Sequence, residues 1–306
     1  MKKDHGLTLI ELMISLTLAT FVLALAFYIF QKQFKYSLVQ ESKSKLEVES
    51  YTGINLLVHD ILHAGFGLKL SAKPIDSKNS SPDTLIIIGN ALNTAVSPKW
   101  SVTMKKAQLS NTILVRKWNK DNFTHGDWLV ILSDSKTFIA GPYEITQATD
   151  VDGPDLNGDG EPDPALRLRL STETGVSAGK ASLIFKVSPN HIADTVIYYI
   201  SNGTLYRNSA PLISNVEDFE VNFLLDTDYN GIYDTWTPDI SGLNAEQLRA
   251  QLGEVRFSVL VRSDKPDPSY TFPKKQIMVE DHQYEIQNVH YRRILITKRV
   301  IPRNVR

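Results

Sequence analysis

An apolar stretch near the N-terminus, interrupted by a single acid, constrains this chain more than any other feature. From Leu7 to Phe30 the only charged residue is Glu11. As a helix this stretch would be about 36 Å long, which is enough to span the hydrocarbon layer of a membrane. Lys2 and Lys3 precede it, so the positive-inside rule leaves the first residues in the cytoplasm. The sequence therefore predicts a single-pass protein with a large exported body.

Two ordinary explanations for this stretch leave the acid unexplained. A secretory signal would use Lys2 and Lys3 as its basic region and Ala24 to Ala26 as its cleavage site. Glu11 interrupts the apolar region of such a signal, and the apolar run continues beyond that site as FYIF. A plain membrane anchor gives Glu11 no function, although a carboxylate within a bilayer is costly and usually functional.

A third interpretation is based on the segment from Gly6 to Leu12, which reads GLTLIEL. This segment resembles the cleavage motif of type IV prepilins, in which a short basic leader ends in glycine. The resemblance implies that residues 1–6 are a leader peptide, that a dedicated peptidase cleaves after Gly6, and that the new N-terminus at Leu7 is methylated. The family usually has phenylalanine at the first mature position, so Leu7 is a mild departure.

Cleavage at that point would give Glu11 a partner. The new α-amine at Leu7 would be cationic near neutral pH, because a free α-amine titrates around 7.7–8. Glu11 of one subunit could then neutralise the amine of its neighbour within lipid, where opposite charges attract more strongly than in water. A buried polar pair of this kind is best justified as a device that sets register. We therefore predict that Glu11 acts in assembly.

The segment after the membrane span has the pattern of an amphipathic helix. No proline occurs between Leu7 and Ala64, and apolar residues recur at steps of three and four. Gly65 and Gly67 then offer a helix stop. We predict a transmembrane and assembly helix at 7–30, an amphipathic continuation at 31–64, and an exported domain at 65–306. The stripe that should pack on this domain is Phe34, Leu38, Tyr51, Ile54, Val58 and Ile61.

Beyond about Asp83 the pattern changes to short β-branched runs separated by turn residues. Asn202 and Gly203 predict a tight hairpin, because both tolerate positive φ angles. The segment NAEQLRAQLG predicts a short helix, with Asn244 and Gln247 at its start and Gly253 after its end. Together these features predict an α+β fold, with one long N-terminal helix packed on a mostly antiparallel β-sheet domain. One sheet face is expected to carry Phe219, Val221, Phe223 and Leu225.

Further segments extend the resemblance, namely DILHAGFG, NVEDFEVNF, VRFSVLVRS and YRRILITKRVIPRN. In this order they resemble PilW-type minor pilins and, more distantly, the J-type pseudopilin of type II secretion. The resemblance implies a pilin-like fold and a non-enzymatic minor pilin subunit in the priming or tip complex of a type IV pilus. It also implies an inner-membrane protein whose exported domain reaches the pilus or cell surface. Its partners would be other pilin subunits, the prepilin peptidase, the inner-membrane assembly machinery and membrane lipid. A secretion pseudopilin, a calcium-dependent surface adhesin and a membrane-tethered hydrolase are the alternatives.

Two acidic segments have the spacing of the first part of an EF-hand calcium loop, with oxygen ligands at positions 1, 3, 5 and 9 and glycine at 6. Both lack the bidentate glutamate at position 12, where Leu166 and Thr237 stand instead. Asp, Asn and Gly also favour plain turns, so a loop without metal is the alternative. We predict one or two weak structural calcium sites. The candidate ligands are Asp155, Asn157, Asp159 and Asp163 in the first segment, and Asp226, Asp228, Asn230, the Ile232 carbonyl and Asp234 in the second.

Two further clusters of polar residues, one on the predicted helix and one near the C-terminus, have structural roles as their simplest explanation. His59 and His63 lie one helical turn apart with Asp60 between them, which is similar to the H-E-x-x-H pattern of zinc proteases. Aspartate reaches less far than the usual glutamate and no spaced third ligand follows, so we expect a solvated or sheet-packed helix face there. The basic C-terminal run is expected to be the wet face of an edge strand. Net charge is −1 and there is no cysteine, so we expect neither a nucleic-acid partner nor a thiol nucleophile.

Overall fold

The computed structural model describes residues 9–80, 82–92 and 97–305. The predicted cleavage residues Gly6 and Leu7 lie outside this range, and so does the side chain of Leu38. The helices are α1 (Leu9–His63) and α2 (Ala245–Gln251). The strands are β1 (Ile75–Lys78), β2 (Thr84–Gly89), β3 (Trp100–Val102), β4 (Ala107–Ser110), β5 (Thr112–Arg116), β6 (Trp128–Leu132), β7 (Phe138–Asp152), β8 (Pro164–Leu170), β9 (Val176–Ala178), β10 (Leu183–Val187), β11 (Asp194–Ser201), β12 (Thr204–Arg207), β13 (Ala210–Ser214), β14 (Val216–Leu225), β15 (Thr235–Thr237), β16 (Leu252–Arg262), β17 (Gln276–Val279), β18 (His282–Glu285) and β19 (Arg293–Val300).

The predicted α+β fold is confirmed. The chain divides within α1 into two compact units, Met1–Glu49 and Ser50–Arg306. In the first unit, the apolar side chains described from Leu9 to Tyr36 are exposed. The second unit contains the last part of α1 and all the strands, and every strand pairing described in it is antiparallel.

The last four turns of α1 pack on a five-stranded sheet of order β1-β2-β11-β12-β13. Ile54 and Ile61 of the predicted stripe are fully buried together with Leu57, at the three- and four-residue steps that one helix face requires. The prediction is wrong for Phe34 and Tyr51, whose side chains are exposed. At Gly53 the helix lies so close to the sheet that a Cβ atom would sit 2.4 Å from Ile213 Cγ1 in β13. The glycine therefore permits the close approach of helix and sheet.

The predicted hairpin between β11 and β12 is confirmed. Ser201 pairs with Thr204, and the two residues of the turn, Asn202 and Gly203, have φ angles of 49° and 70°. These are the positive values that a primed two-residue turn requires.

The middle of the domain is a six-stranded sheet of order β3-β10-β6-β7-β8-β5. A bridge between Thr103 and Val115 joins its first and last strands, and Met104 N–H donates to Leu114 O at 2.9 Å beside it. The sheet therefore closes into a small barrel. Its interior is filled by apolar side chains, including Ile113, Val115, Phe123, Leu129, Ile131, Ile145, Leu166, Leu168 and Ile184.

A four-stranded sheet of order β15-β14-β16-β19 completes the domain, with the β17–β18 hairpin against it. Phe219, Val221, Phe223 and Leu225 are buried on one face of β14, as predicted. The short helix α2 also forms as predicted, with a capping box between Asn244 and Gln247.

Gly253 follows the end of α2, as predicted. The helix ends at Gln251, its cap residue Leu252 is extended, and Gly253 already belongs to β16. A Cβ atom on Gly253 would lie 2.5 Å from Tyr233 Cδ1. Glycine is therefore needed here because an aromatic ring approaches the backbone closely, and not because the helix ends in a left-handed cap.

Candidate functional site

The N-terminal part of α1 is suited to a membrane. Among the residues that the structure describes, Leu9–Ser37 is the one helical segment long and apolar enough to cross a bilayer, and none of it is buried within the protein. Its hydroxyl groups bond to the helix itself: Thr17 Oγ1 donates to Ile14 O at 2.8 Å and Thr20 Oγ1 to Leu16 O at 2.6 Å. Because these polar groups are satisfied internally, they cost little in lipid.

Glu11 lies in the first turn of α1, and its backbone carbonyl accepts a hydrogen bond from Ser15 Oγ at 2.5 Å. Its carboxylate is therefore placed at the start of the apolar segment, as the sequence indicates. The predicted amine partner would be created at Leu7, outside the described residues. The pairing of Glu11 with that amine stays a prediction.

The second acidic loop (Asp226–Asp234) connects β14 to β15. Asp226 is 5% exposed, and its two carboxylate oxygens accept the N–H groups of Asn230 at 3.1 Å and Gly231 at 2.9 Å. Asn230 Oδ1 in turn accepts Ile232 N–H at 2.7 Å. Gly231 has a φ angle of 84°. The segment thus forms a tight curl around the carboxylate of its first residue.

The first acidic loop (Asp155–Asp163) connects β7 to β8 and curls in the same way. Asp155 accepts the N–H groups of Gly158 at 2.6 Å and Gly160 at 2.9 Å. These bonds, first that of Gly160, lower the pKa of the Asp155 carboxyl below its ordinary value. Asp163 Oδ2 accepts Leu156 N–H at 2.7 Å, which brings the last residue of the motif back to its start.

The two loops place their predicted ligands in hairpin connections, but they do not bring three carboxylates together. Neither loop holds three described acids whose oxygens all lie within 4.8 Å of one another. Two acids near the loops in sequence, which could have replaced the missing glutamate, have other partners. Asp150 binds Lys117 Nζ at 2.6 Å, and Asp239 accepts Ser241 N–H at 2.8 Å. The predicted calcium sites stay untested predictions.

The aspartate of the His59–His63 segment has a structural role. Asp60 is fully buried, and its Oδ2 accepts the hydroxyl of Tyr198 at 2.6 Å and Nε of Arg207 at 2.7 Å. Burial, and then the Asp60 charge, raise the pKa of the Tyr198 hydroxyl. His63 Nδ1 lies 2.8 Å from the His59 carbonyl one turn earlier. Asp60 therefore binds α1 to the five-stranded sheet.

The basic C-terminal run is paired with acids and aromatic rings. Arg293 binds Glu217 with two hydrogen bonds, at 2.5 and 2.9 Å, and Arg292 binds Asp267 at 2.9 Å. Arg299 lies over the ring of Trp236. This run forms β19, an edge strand of the four-stranded sheet, as the sequence predicts.

Comparison with known families matches both ends of the chain. Residues 185–304 match the family model described as Type IV Pilus-assembly protein W (PilW), and residues 1–27 match the Prokaryotic N-terminal methylation motif. Over these two ranges the chain is similar to PilW-type pilus-assembly proteins and to prepilins with a methylated N-terminus. Comparisons with curated proteins and with solved structures found no match.

The two matches agree with the structure of this prepilin-like protein. The methylation motif covers the start of α1 up to Phe27, within the segment able to span a membrane. The PilW match begins at the end of β10 and extends past β19, so most of the barrel lies outside it. The methylation motif and the long apolar helix fit a protein that is anchored in the membrane by its N-terminal helix and carries an exported domain.

The sequence interpretation missed one group of side chains in the PilW-like region. Asp218, Glu220 and His282 bring their ligand atoms within 4.8 Å of one another, and Asp218 and Glu220 are buried. The sequence signal was the alternation of Asp218, Glu220 and Asn222 with the apolar residues of β14. Such alternation ordinarily indicates a solvent-facing side, so it did not point to a buried cluster.

Proposed function

We propose that this protein is a minor pilin that is processed after Gly6, inserts through α1 and assembles into a type IV pilus by helix packing. One observation carries the proposal: a methylation motif is followed at once by an apolar helix with a single acid, and the same helix continues into an exported β domain. Pilin-family matches also point to a structural protein, and we propose no catalytic activity for it.

Within this proposal, Glu11 is the charge that sets the position of the incoming subunit. A carboxylate in a low-dielectric layer is stable only with a partner, and cleavage after Gly6 supplies an amine at the first position of the mature chain, where Glu11 is the fifth residue. The partner would be the Leu7 amine of a neighbouring pilin. The prepilin peptidase and the inner-membrane assembly machinery are the further partners of this route.

The experiment replaces Glu11 with Gln and with Leu and compares both variants with Thr17→Ala, a change elsewhere in the same helix. We expect both Glu11 variants to remain in the membrane but to be lost from sheared pili, whereas Thr17→Ala remains incorporated. Mass spectrometry of the native protein should find a methylated N-terminus at Leu7. Normal incorporation of Glu11→Leu, or a retained leader, would contradict the proposal.

We place the subunit in the priming or tip complex because its exported domain is large. That domain adds a closed barrel to a PilW-like sheet region, and so much mass on every subunit would crowd a uniform filament. Site-specific cross-linking at an exposed residue of the barrel should capture other minor pilins in preference to the major subunit. Cross-linking to secretion pseudopilins instead would favour the type II secretion alternative.

We also propose that the two acidic loops bind calcium as a structural ion. The support is their ligand spacing and the curl that each makes around its first aspartate. Calorimetry with calcium should give weak binding, with Kd about 10⁻⁴ to 10⁻³ M. Asp226→Asn and Asp155→Asn should each abolish calcium binding at one of the two loops. Asp134→Asn, on another loop, should leave calcium binding unchanged. Absence of heat from the unmodified protein would rule calcium out.

A further inference from the structure

The polar face of β14 is buried. Asp218, Glu220 and Asn222 alternate with apolar residues, so they point away from the Phe219 face of the sheet. The β17–β18 hairpin lies over this polar face, where Glu280 accepts Asn222 Nδ2 at 3.2 Å. Asp218 and Glu220 are each 1% exposed. Two acids are therefore held away from water at the junction of a strand and a distant hairpin.

The side chain of His282, at the start of β18, meets these acids. Its Nδ1 lies 2.8 Å from Asp218 Oδ2 and 3.5 Å from Glu220 Oε1. In the part of the chain that the structure describes, these three residues are the one group of acids and histidines whose ligand atoms all lie within 4.8 Å of one another. Glu220 Oε1 is buried and has no hydrogen-bond partner. A buried acceptor aimed at other ligand atoms indicates a missing cation or proton.

The surroundings supply too little positive charge for these acids. Asp83 adds a third buried carboxyl, which accepts the N–H groups of Val221 at 2.8 Å and Ser80 at 3.0 Å. Burial, and then the charge of Asp83, raise the pKa of the Glu220 carboxyl to about 10. The nearby guanidinium of Arg256 binds Glu280 at 2.6 Å, so it is paired outside the cluster.

We propose that Asp218, Glu220 and His282 form a binding site for a divalent transition-metal ion of the zinc type. An imidazole nitrogen with two carboxylates is a ligand set that zinc accepts at about 2.0–2.2 Å, whereas calcium takes oxygen ligands. Ligand atoms on a tetrahedral zinc ion lie about 3.3 Å apart at those bond lengths. The 3.5 Å contact already fits this spacing, and the 2.8 Å contact has to open by about 0.5 Å.

The ion would join two parts of the sequence that are far apart. Asp218 and Glu220 lie on β14 and His282 lies on the β17–β18 hairpin, so coordination fixes the hairpin on the sheet. The site is separate from the acidic loops and from α1, and it does not depend on the proposed pilus function. We expect a structural ion, because two of the three ligands are buried.

The test uses the full-length protein in detergent, stripped with a chelator and then dialysed against zinc. We expect one zinc ion per chain that excess calcium does not displace, together with a higher Tm. His282→Asn and Glu220→Gln should each lower the zinc affinity by more than about 10-fold. Glu220→Gln keeps the shape of the side chain and removes the carboxyl group that the ion would bind, so it separates loss of binding from loss of folding.

Two controls address the other histidines. His290→Asn changes a histidine whose Nδ1 lies 2.8 Å from the Tyr270 carbonyl, and it should bind zinc as the unmodified protein does. The double variant His59→Asn/His63→Asn removes the helical pair and should also retain the ion. The proposal is overturned if zinc neither binds nor raises Tm, in which case the cluster holds only protons. It is equally overturned if binding survives His282→Asn and is lost in the double variant.

Discussion

At the scale of single residues, buried aspartates that bind several donors hold parts of the exported domain together. Asp60, at the end of α1, accepts hydrogen bonds from Tyr198 on β11 and Arg207 on β12. Asp127, just before β6, contacts Lys99 Nζ at 2.7 Å and Lys186 Nζ at 2.6 Å. Each acid satisfies several donors, so its removal should cost more than the loss of one hydrogen bond.

The first prediction concerns Asp60. Asp60→Asn should lower the free energy of unfolding by about 3 kcal/mol, because it leaves the mostly buried Arg207 without its counter-charge. Tyr198→Phe removes one hydrogen bond from the same group and should cost about 1 kcal/mol. Urea unfolding followed by tryptophan fluorescence measures both variants. Equal losses would show that Asp60 acts as an ordinary polar group.

The second prediction is a pH dependence at Asp127. Burial opposes its charge, but hydrogen bonds from Lys186 and Lys99 outweigh burial and lower the pKa of the carboxyl. A lowered folded-state pKa gives stability that is present above the unfolded value and is lost as pH falls through the folded value. The cost of Asp127→Asn should therefore be about 2 kcal/mol at pH 7 and should shrink below pH 4.

Urea unfolding at a series of pH values between 7 and 2 would measure this effect. Asp134→Asn is the matched control, since Asp134 is an exposed acid of the same barrel. Its cost should stay near zero throughout. If Asp127→Asn costs the same amount at pH 7 and at pH 3, the two lysines do not stabilise the charged form.

At the scale of elements, the close contact of α1 with β13 reverses an ordinary rule. Replacing a glycine within a helix by alanine usually adds stability, about 1 kcal/mol. At Gly53 the new Cβ would lie 2.4 Å from Ile213 Cγ1 and 3.1 Å from Leu212 Cγ. The helix or the strand would have to shift, and such overpacking costs about 1–3 kcal/mol.

The third prediction follows from this contact. Gly53→Ala should destabilise the domain, and the loss should be smaller in a background that carries Ile213→Ala, where room has been made for the methyl group. A double-mutant cycle by urea unfolding measures the coupling. If the two changes are additive, or if Gly53→Ala adds stability, the helix and strand are not in the close contact that the structure describes.

Elements that depend on neighbouring residues were the predictable ones. The Asn202–Gly203 turn, the Asn244 cap and the apolar face of β14 were all predicted, because each depends on residues a few positions apart. The cluster at Asp218 was missed because its covering residue, His282, lies 64 positions along the chain. Barrel closure was missed for the same reason, since a bridge between two short strands leaves no periodic signal.

The candidate sites divide in the same way. The methylation motif is a compact run of residues, so the N-terminal processing site and Glu11 could be predicted directly. The spacing of the acidic loops predicted their position between paired strands, but the shell of a metal ion depends on ligands that approach from elsewhere. Sequence alone therefore indicated where these loops lie, and whether they bind an ion has to be measured.

At the scale of the whole molecule, one buried arginine joins three separate parts of the exported unit. Arg249 of α2 is 8% exposed and donates to backbone carbonyls on both sides of it. It binds Leu70 O at 3.2 Å in the segment after α1, and Val305 O at 2.8 Å near the C-terminus. Burial lowers the pKa of this guanidinium. The planar fork of arginine is what allows so many carbonyls to be reached at once.

The fourth prediction tests this junction. Arg249→Met should lower the free energy of unfolding by about 3 kcal/mol. Arg249→Lys keeps the charge but cannot reach several carbonyls at once, so it should lower the free energy of unfolding by most of that amount. Both variants should expose the C-terminal residues to carboxypeptidase faster than the unmodified protein. Arg303→Lys, on an exposed residue of the same tail, should leave the digestion rate unchanged. Full protection in Arg249→Lys would mean that charge alone is sufficient.

The closed barrel limits how the exported domain can associate with other chains. An open sheet offers unsatisfied amide and carbonyl groups along its rim, and a second chain can add to them without limit. In the described residues, the Thr103–Val115 bridge leaves the six-stranded sheet no such rim. Among the described sheets, the largest one is thereby protected from the edge-to-edge addition of further chains that builds amyloid.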